Sequence, residues 1–346
     1  MGQEEGSPMH VYDTEELERY LAEHIDGFGR LGSIEKFSDG QSNPTYKLTS
    51  DTGQYVLRAK PPGKLLKSAH AVDREFRVMQ ALATTGVPVP RVLHLSGDES
   101  PMGTQFFVME MVQGRIFWDP ALPALNHAAR GRVYDQMNAT LAKLHSVDAT
   151  AVGLSDYGKP GNYFERQVNR WSGQYRDAET DKLPDADWLI DWLAANMVAD
   201  DGASSIVHGD YRIDNMIFAP TREQVVALLD WELSTLGHPL ADLAYQCMHW
   251  RLPHEGHFRG LAGVDRAEIG VPTEEEYVAL YCDRRGIPAP DNWRFYVVFS
   301  YFRLLAILQG VLKRGLDGNA SNPRDSAAMS TIIAHLAKDA RALAHG

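Results

Sequence analysis

The pattern His208-x-Asp210-x-x-x-x-Asn215, followed by Asp230 directly after an apolar run, constrains this chain more than any other feature. The apolar run, Val225–Leu229, predicts a strand that ends at Asp230. Asp210, in a tight loop, can accept a proton from a hydroxyl group. Asn215 and Asp230 offer hard oxygen donors of the kind that magnesium prefers. The first three residues could also cap a simple β-turn, but such a turn does not explain Asp230.

The same spacing fits the catalytic loop of protein kinases, with Asp230 about fifteen residues beyond Asn215, where kinases hold a magnesium aspartate. Phosphoryl transfer needs positioning, charge neutralisation and one proton acceptor. His208 is predicted to brace the loop through backbone hydrogen bonds. Arg212 stands where protein kinases carry a lysine aimed at the transferred phosphate, and this implies that it neutralises charge there.

The strings HGDYRIDN, LLDWE and PLADL together resemble the aminoglycoside phosphotransferase/choline kinase-like superfamily. Trp-Glu after Asp230, where protein kinases have Phe-Gly, points to this branch. The strings YVLRAKPPGKLL, HAVDREFRVMQAL and DWELSTLGHPLADLAY resemble the kinase-like domains that accompany acyl-CoA dehydrogenases. The resemblance covers most of the chain, from about Phe37 onward. It implies structural support from Glu232 and His208, and from Asp242, which would anchor the backbone of the catalytic loop.

The fold that this resemblance implies is α+β, a two-lobed protein kinase-like fold. Residues 1–112 would form a small nucleotide-binding lobe with an antiparallel sheet and a helix. Residues 113–346 would form a larger, mainly helical lobe with the catalytic loop, the metal site and the substrate-binding helices. An amphipathic helix is also expected to begin after Asp13, which is a good N-cap residue.

Candidate nucleotide-binding residues lie along the first hundred positions. The turn-rich segment 37–46, with Ser42 and Asn43, could cover phosphates with its backbone amides, although a plain hairpin would show the same pattern. It lacks G-x-G-x-x-G, and the chain contains no Walker A motif. In the strand 54–60, Arg58 and Lys60 share one face. Comparison with the superfamily favours Arg58 as the cation for the α/β-phosphates and leaves Lys60 as the alternative.

Two further elements complete this part of the prediction. A helix over 69–82 has an apolar stripe of Val72, Phe76, Met79 and Ala83, and Glu75 lies beside it as the acid of a kinase-type ion pair; a solvated partner for Arg74 or Arg77 is the alternative. The strand 105–112 would be the hinge, where main-chain groups near Glu110 and Met111 bind adenine. On composition alone it is a core strand.

Composition narrows the class of protein. The formal net charge of −12 argues against nucleic-acid binding, which needs a basic footprint. Two cysteines suit a reducing compartment, and the acidic start lacks the features of a secretory signal, so we expect a cytoplasmic enzyme. The segment 295–312 is very apolar but contains Arg303 and Gln309, and is predicted to be a buried helix rather than a membrane span.

A zinc site is the alternative chemistry that the sequence suggests. Cys247, His249, His254 and His257 lie close together, but their spacing fits no common zinc pattern. A local loop is the preferred interpretation.

The expected activity is transfer of phosphate from ATP or GTP, with Mg²⁺, to the hydroxyl of a small molecule. The resemblance suggests a hydroxyacyl-CoA or related acyl metabolite, and a functional association with an acyl-CoA dehydrogenase. An aminoglycoside 3'-phosphotransferase and a nucleotide-binding pseudokinase remain as alternatives. For the acyl substrate, three lysines could bind CoA phosphates, or could belong to a solvated loop: Lys60, Lys64 and Lys67. Four aromatic residues could line a substrate channel, or could belong to the core: Trp171, Tyr175, Trp188 and Trp192. The acids that could bind an aminoglycoside fall in one loop-like run: Asp177, Glu179, Asp181 and Asp185.

Overall fold

The computed structural model describes residues 12–37, 43–61, 71–256, 258–317 and 326–346. Its helices are α1 Thr14–His24, α2 Val72–Leu82, α3 His127–His145, α4 Tyr163–Asp177, α5 Pro184–Ala195, α6 Leu240–Trp250, α7 Arg266–Ile269, α8 Glu274–Arg285, α9 Trp293–Leu316 and α10 Ser326–His345. Its strands are β1 Leu31–Lys36, β2 Thr45–Ser50, β3 Gly53–Ala59, β4 Val92–Leu95, β5 Phe106–Glu110, β6 Ser205–Val207, β7 Met216–Phe218, β8 Val225–Leu228 and β9 Thr235–Gly237. The α+β kinase-like class is confirmed, with an antiparallel sheet early in the chain and a mainly helical remainder.

Two compact units divide the chain. The first contains the described residues up to Arg115 together with Met216–Leu233, and the second contains Ile116–Asn215 and Ser234–Gly346. The sequence-based boundary at residue 112 follows chain order, whereas the structure groups the β7–β8 hairpin with the first unit. The reason is a β-bridge in which Arg115 and Phe218 exchange two main-chain hydrogen bonds of 2.8 Å. Gly114 permits this contact, because a Cβ atom there would lie 2.3 Å from the carbonyl oxygen of Phe218.

An antiparallel sheet of order β1-β2-β3-β5-β4 forms the centre of the first unit. β5 is buried at Phe106, Phe107, Val108 and Met109, as the core-strand interpretation predicts. The core also takes in α1, which begins where expected: the Asp13 side chain accepts hydrogen bonds from the N–H groups of Glu15 and Glu16. The apolar residues of α1, β2, β3 and β5 therefore close one hydrophobic cluster.

The helix α2 begins at Val72 in the described structure, and the predicted start at Ala69 lies outside the described residues. Its buried face differs from the predicted stripe. Glu75 is a member of that face at 1% exposure, whereas Ala83 is the exposed C-cap residue. A carboxylate within an apolar face requires a partner, and the alternative in which Glu75 is a solvated residue does not agree with this burial.

Helices build the second unit around α9, which packs against α4, α5, α6 and α10. α9 is the one helix among the described ranges that is long and apolar enough to cross a membrane, with a mean hydropathy of 1.7, but 78% of that stretch is buried inside the protein. The prediction of a buried helix over 295–312 is confirmed. The two-stranded sheet β6–β9 leads directly into the loop that begins at His208.

Candidate active site

The catalytic-loop motif lies in the second unit, where one carboxylate on α6 holds its backbone. The N–H groups of His208 and Gly209 donate to the two oxygens of Asp242, at 2.6 and 2.8 Å. Asp242 is fully buried. Burial acts to raise its pKa, but the hydrogen bonds from His145 and from Gly209 outweigh burial and hold the pKa below the ordinary value. An ionised Asp242 therefore fixes the start of the loop.

Two buried residues support this anchor. The Nε2 atom of His145 lies 3.2 Å from Asp242, and its Nδ1 atom lies 2.7 Å from the Tyr281 hydroxyl. The Nδ1 atom of His208 accepts the N–H of Asp210 at 3.2 Å. The positive φ of Gly209, +86°, lies in the left-handed region that glycine adopts without steric cost. The loop can therefore turn sharply and present Asp210.

Asp210 itself is bound on several sides within the second unit. The Asn215 amide nitrogen donates to its carboxylate and to its carbonyl oxygen, both at 2.9 Å. A hydrogen bond from the Tyr245 hydroxyl also reaches it and contributes to the raised pKa of Tyr245, which burial dominates. Burial acts to raise the pKa of Asp210, but the charges of Arg212 and Arg303 help to lower it below its ordinary value. Asp210 is thus an ionised carboxylate at neutral pH.

Arg212 and Arg303 are the cations beside this carboxylate. The Nε atom of Arg212 lies 3.9 Å from Asp210, and its guanidinium pairs with Asp214. Arg303, on α9, donates to the carbonyl oxygen of Gly209. The motif did not reveal Arg303, Tyr245 or Asp214. The available signal for Arg303 was an arginine within the most apolar segment of the chain, because a buried charge needs a partner.

Arg58 is the centre of a second polar cluster, in the first unit. Its Nε atom lies 3.1 Å from Glu75, and its Nη2 atom lies 2.8 Å from Asp230 and 3.7 Å from Glu232. These three carboxylates raise the pKa of Arg58 against the lowering effect of burial. Lys60, the alternative cation, lies 3.9 Å from the more exposed Asp73. Arg58 therefore makes the ion pair with Glu75 that the sequence left open.

Burial and Asp230 raise the pKa of Glu75 to about 7, although Arg58 and Asn43 favour its ionised form. The Asn43 amide donates to Glu75 at 2.9 Å and is itself buried. The side chain of this predicted phosphate-loop residue is thus engaged with Glu75. Ser42, predicted for the same loop, lies outside the described residues.

Asp230 has an unusual backbone conformation, with a φ of +64°. Non-glycine residues rarely adopt positive φ, and strain of this kind is concentrated at functional sites. Strand β8 ends at Leu228, two residues earlier, and the left-handed turn directs the carboxylate to Arg58. The strand before Asp230 that the sequence predicted is thus present as β8.

The predicted hinge residues are bonded within the sheet of the first unit. The N–H of Glu110 donates to the carbonyl of Arg91 at 3.0 Å, and the N–H of Met111 donates to the carbonyl of Gln54 at 3.3 Å. These two N–H groups therefore already donate hydrogen bonds within the sheet. An adenine edge bound here would use a carbonyl of this segment or an N–H beyond Met111.

The described residues of the zinc alternative form no metal site. Cys247 is buried in α6, and His254 contacts the carbonyl of Gly260; His257 lies outside the described residues. Within the described ranges, no group of three or more His, Cys, Asp or Glu side chains is arranged to hold a metal ion. His249, also on α6, belongs instead to the surroundings of Asp210.

The fold and the loop geometry define a kinase-like phosphotransferase. The chain belongs to the phosphotransferase enzyme family, which it matches over residues 33–280. A crystal structure of a Ralstonia eutropha JMP134 protein, assigned by name to the aminoglycoside phosphotransferases, is 47% identical, with a TM-score of 0.87 over 97% of this chain and 99% of that one.

Other relatives are longer or more distant. "Acyl-CoA dehydrogenase family member 10" of Mus musculus is 48% identical over 93% of this chain, which spans only 30% of that protein. A thermostable mutant of the aminoglycoside phosphotransferase APH(4)-Ia, solved with ADP and hygromycin B, has a TM-score of 0.61 at 15% identity, covering 95% of this chain and 99% of that one. At that identity the likeness concerns the fold alone.

Proposed function

We propose that the protein is a kinase that transfers phosphate from ATP, with Mg²⁺, to the hydroxyl of a small molecule. The observation that carries this proposal is the anchored loop of the second unit. It presents Asp210 as an ionised carboxylate beside the amide of Asn215 and the guanidinium of Arg212. Asp210 would receive the proton of the acceptor hydroxyl. Arg212 would offset charge on the transferred phosphate.

The donor atoms suit magnesium. Glu75, Asp230 and Glu232 lie within 4 Å of a single guanidinium, that of Arg58, so the cluster holds more carboxylates than cations. A divalent cation would offset this excess. Within this cluster we assign Asp230 as a metal ligand; the sequence motif adds Asn215, since carboxylate and amide oxygens are both hard donors. When bound, magnesium would neutralise phosphate oxygens.

Arg58, held in place by its ion pair with Glu75, would bind the α/β-phosphates of the nucleotide. ATP is the preferred donor in the proposal, since a protein of the same fold was solved with ADP; GTP is the alternative. Asp242, His208 and Glu232 would act only as structural support. Because the three charged or metal-competent residues Asp210, Asn215 and Asp230 are all present, an active kinase is favoured over a pseudokinase.

For the acceptor we propose a hydroxyacyl-CoA or related acyl metabolite, in functional association with an acyl-CoA dehydrogenase and in the cytoplasm. The support is the 48% identity to part of an acyl-CoA dehydrogenase family member. An aminoglycoside is the second candidate, from the likeness to named aminoglycoside phosphotransferases. Two of the four acids that could bind aminoglycoside amines are already paired with cations: Glu179 with Arg176 and Lys182, and Asp185 with Arg341.

A phosphate-transfer screen tests the proposal. Hydroxyacyl-CoAs, free hydroxy acids and kanamycin-like sugars would be incubated with labelled ATP or GTP, with magnesium or EDTA. We expect magnesium-dependent labelling of the acyl acceptors from ATP, and none of the sugars. Robust labelling of aminoglycosides with inert acyl acceptors would overturn the substrate assignment. Nucleotide binding without labelling of any acceptor would favour the pseudokinase.

A further inference from the structure

Arg303 places a positive charge next to the catalytic loop. This arginine of α9 is only 6% exposed, and one of its N–H groups donates to the carbonyl of Gly209, the residue before Asp210. Its guanidinium carbon lies 4.9 Å from the ring centre of Tyr245 and 5.6 Å from that of Trp171. Aromatic faces favour a cation, but they carry no formal charge to neutralise it.

A second arginine shares the same indole. The guanidinium carbon of Arg170, on α4, lies 5.0 Å from the ring centre of Trp171. Burial lowers the pKa of Arg170, and the charge of Arg303 lowers it further, so the two cations repel each other. Arg170 also has an exposed portion, and an incoming ligand can therefore reach it.

Neither of these two arginines has a carboxylate within 4 Å in the described parts of the chain. The neighbouring arginines differ in this respect. Arg212 is paired with Asp214, and Arg176, on the same helix as Arg170, is paired with Asp187 and Glu179. Asp210 is the carboxylate that acts on Arg303 from beyond this distance, so an anion bound near Arg170 would further reduce the repulsion between the two guanidinium groups.

His249 supplies an independent observation on the same cluster. Its Nε2 atom is buried and has no hydrogen-bond partner within the described structure. Burial, with Arg212 next, lowers its pKa to about 3, so the imidazole is neutral. The ring packs edge-on against Tyr245, at 4.7 Å between centroids. A buried ring nitrogen without a partner is suited to a neutral polar atom of a ligand, such as a hydroxyl or a carbonyl.

We propose that Arg170 and Arg303, which both contact Trp171, form an anion-binding subsite beside Asp210, and that the phosphate acceptor carries a carboxylate or phosphate group which binds there. His249 would contact a neutral polar atom of the same molecule. The inference rests on the proposed function, because it names the acceptor's chemical class. The same two positive charges disfavour an ammonium group of an aminoglycoside at this subsite.

Equilibrium binding tests this subsite without turnover. The probes are β-hydroxy acids of increasing chain length, each beside its neutral primary amide, titrated calorimetrically in the presence of magnesium and non-hydrolysable AMP-PNP. The variants are Arg170→Gln and the matched control Arg176→Gln, which removes the same charge from the same helix. Arg303 is left intact because it also holds the carbonyl of Gly209.

We expect the wild type to bind at least one acid roughly tenfold more tightly than its amide, as a charge-assisted hydrogen bond provides. Arg170→Gln should remove this preference without weakening the amide, and Arg176→Gln should keep it. The subsite is overturned if Arg170→Gln weakens neither the acids nor their CoA thioesters, or if Arg176→Gln weakens them equally. Since no phosphate is transferred, failure of the kinase proposal would appear separately, as absence of turnover with normal acid binding.

The CoA thioesters of the same acids distinguish the two sources of the anion. Thioester formation removes the carboxylate charge and adds the CoA phosphates. If Arg170→Gln weakens the thioesters about tenfold, the bound anion is a CoA phosphate. If it weakens only the free acids, the anion is the acceptor's own carboxylate. Either result supports the subsite.

Discussion

Arg58 in the first unit and Asp210 in the second are both partly buried charges, but their surroundings have opposite signs. Arg58 lies within 4 Å of three carboxylates, those of Glu75, Asp230 and Glu232. Asp210 has the cation Arg212 at 3.9 Å. The same chain thus builds an acidic cluster around a cation and a basic cluster around an acid.

The pKa values follow from this difference. The pKa of Glu75, which shares Arg58 with two other carboxylates, is raised to about 7 by burial and by Asp230. The pKa of Asp210 lies below its ordinary value because the charges of nearby arginines help to outweigh burial. An excess of carboxylates suits a metal ion that accompanies phosphates. A carboxylate kept ionised among cations suits a proton acceptor. Charge balance therefore separates the two proposed tasks.

The largest expected effect is on Asp210. Asp210→Asn removes the ionised base but preserves a side chain of the same shape, so kcat should fall by ~10²–10⁴ with nucleotide affinity nearly unchanged. Steady-state kinetics and calorimetric titration of Mg·AMP-PNP would measure the two quantities. Asp181→Asn, in an exposed loop of the same unit, is the control. Turnover within a few-fold of wild type would remove Asp210 from this role.

A smaller effect is expected for the proposed metal ligands. Asp230→Ala removes a charged ligand and should weaken Mg-nucleotide binding as well as turnover, and Asn215→Ala should do so more mildly because its ligand is neutral. Nucleotide titrations over a range of magnesium concentrations measure both. Nucleotide affinity that does not depend on magnesium in the wild type, and does not change in Asp230→Ala, would contradict the assignment.

The choice between the two candidate phosphate cations can be tested by paired substitutions. Arg58→Met removes the guanidinium from the cluster of three carboxylates, and we expect roughly tenfold weaker nucleotide binding. Lys60→Met should change binding less, because the ion pair of Lys60 at 3.9 Å is with the half-exposed Asp73 rather than with the buried Glu75. Thermal melts of both variants report whether the fold is retained. Equal losses for the two folded variants would leave Arg58 without a special role.

The last expected effect concerns stability and its dependence on pH rather than binding or turnover. The pKa of Glu75 is raised from 4.5 to about 7 on folding, so the folded state binds the extra proton between these values. Its contribution is fully present below pH 4.5 and is lost as the pH rises through about 7. Relative to Glu75→Gln, which cannot ionise, the wild type should lose up to about 3 kcal/mol of unfolding free energy over this window. Urea unfolding at several pH values measures it; a constant difference between the two proteins would refute the raised pKa.

Secondary-structure elements and motif residues could be predicted from the sequence better than the charged neighbours that surround each buried group. The α+β class, the buried α9 and the strand before Asp230 followed from motifs and apolar patterns. Arg303 and Tyr245 could not be assigned to Asp210, because they come from α9 and α6 and meet it only in three dimensions. Glu75 was placed beside the apolar stripe of its helix, since helical spacing does not show that Arg58 and Asn43 compensate its burial.

Gly209 has a further consequence for how the loop behaves on binding. Glycine is the residue with the greatest backbone freedom, yet its N–H is held by Asp242 on α6 and its carbonyl by Arg303 on α9. Both ends of this glycine are thus fastened to charged groups on two packed helices. The conformational entropy of the turn is lost when the protein folds, not when an acceptor arrives. Substitutions that loosen the packing of α6 on α9 would return that entropy to the loop and weaken acceptor binding from a distance.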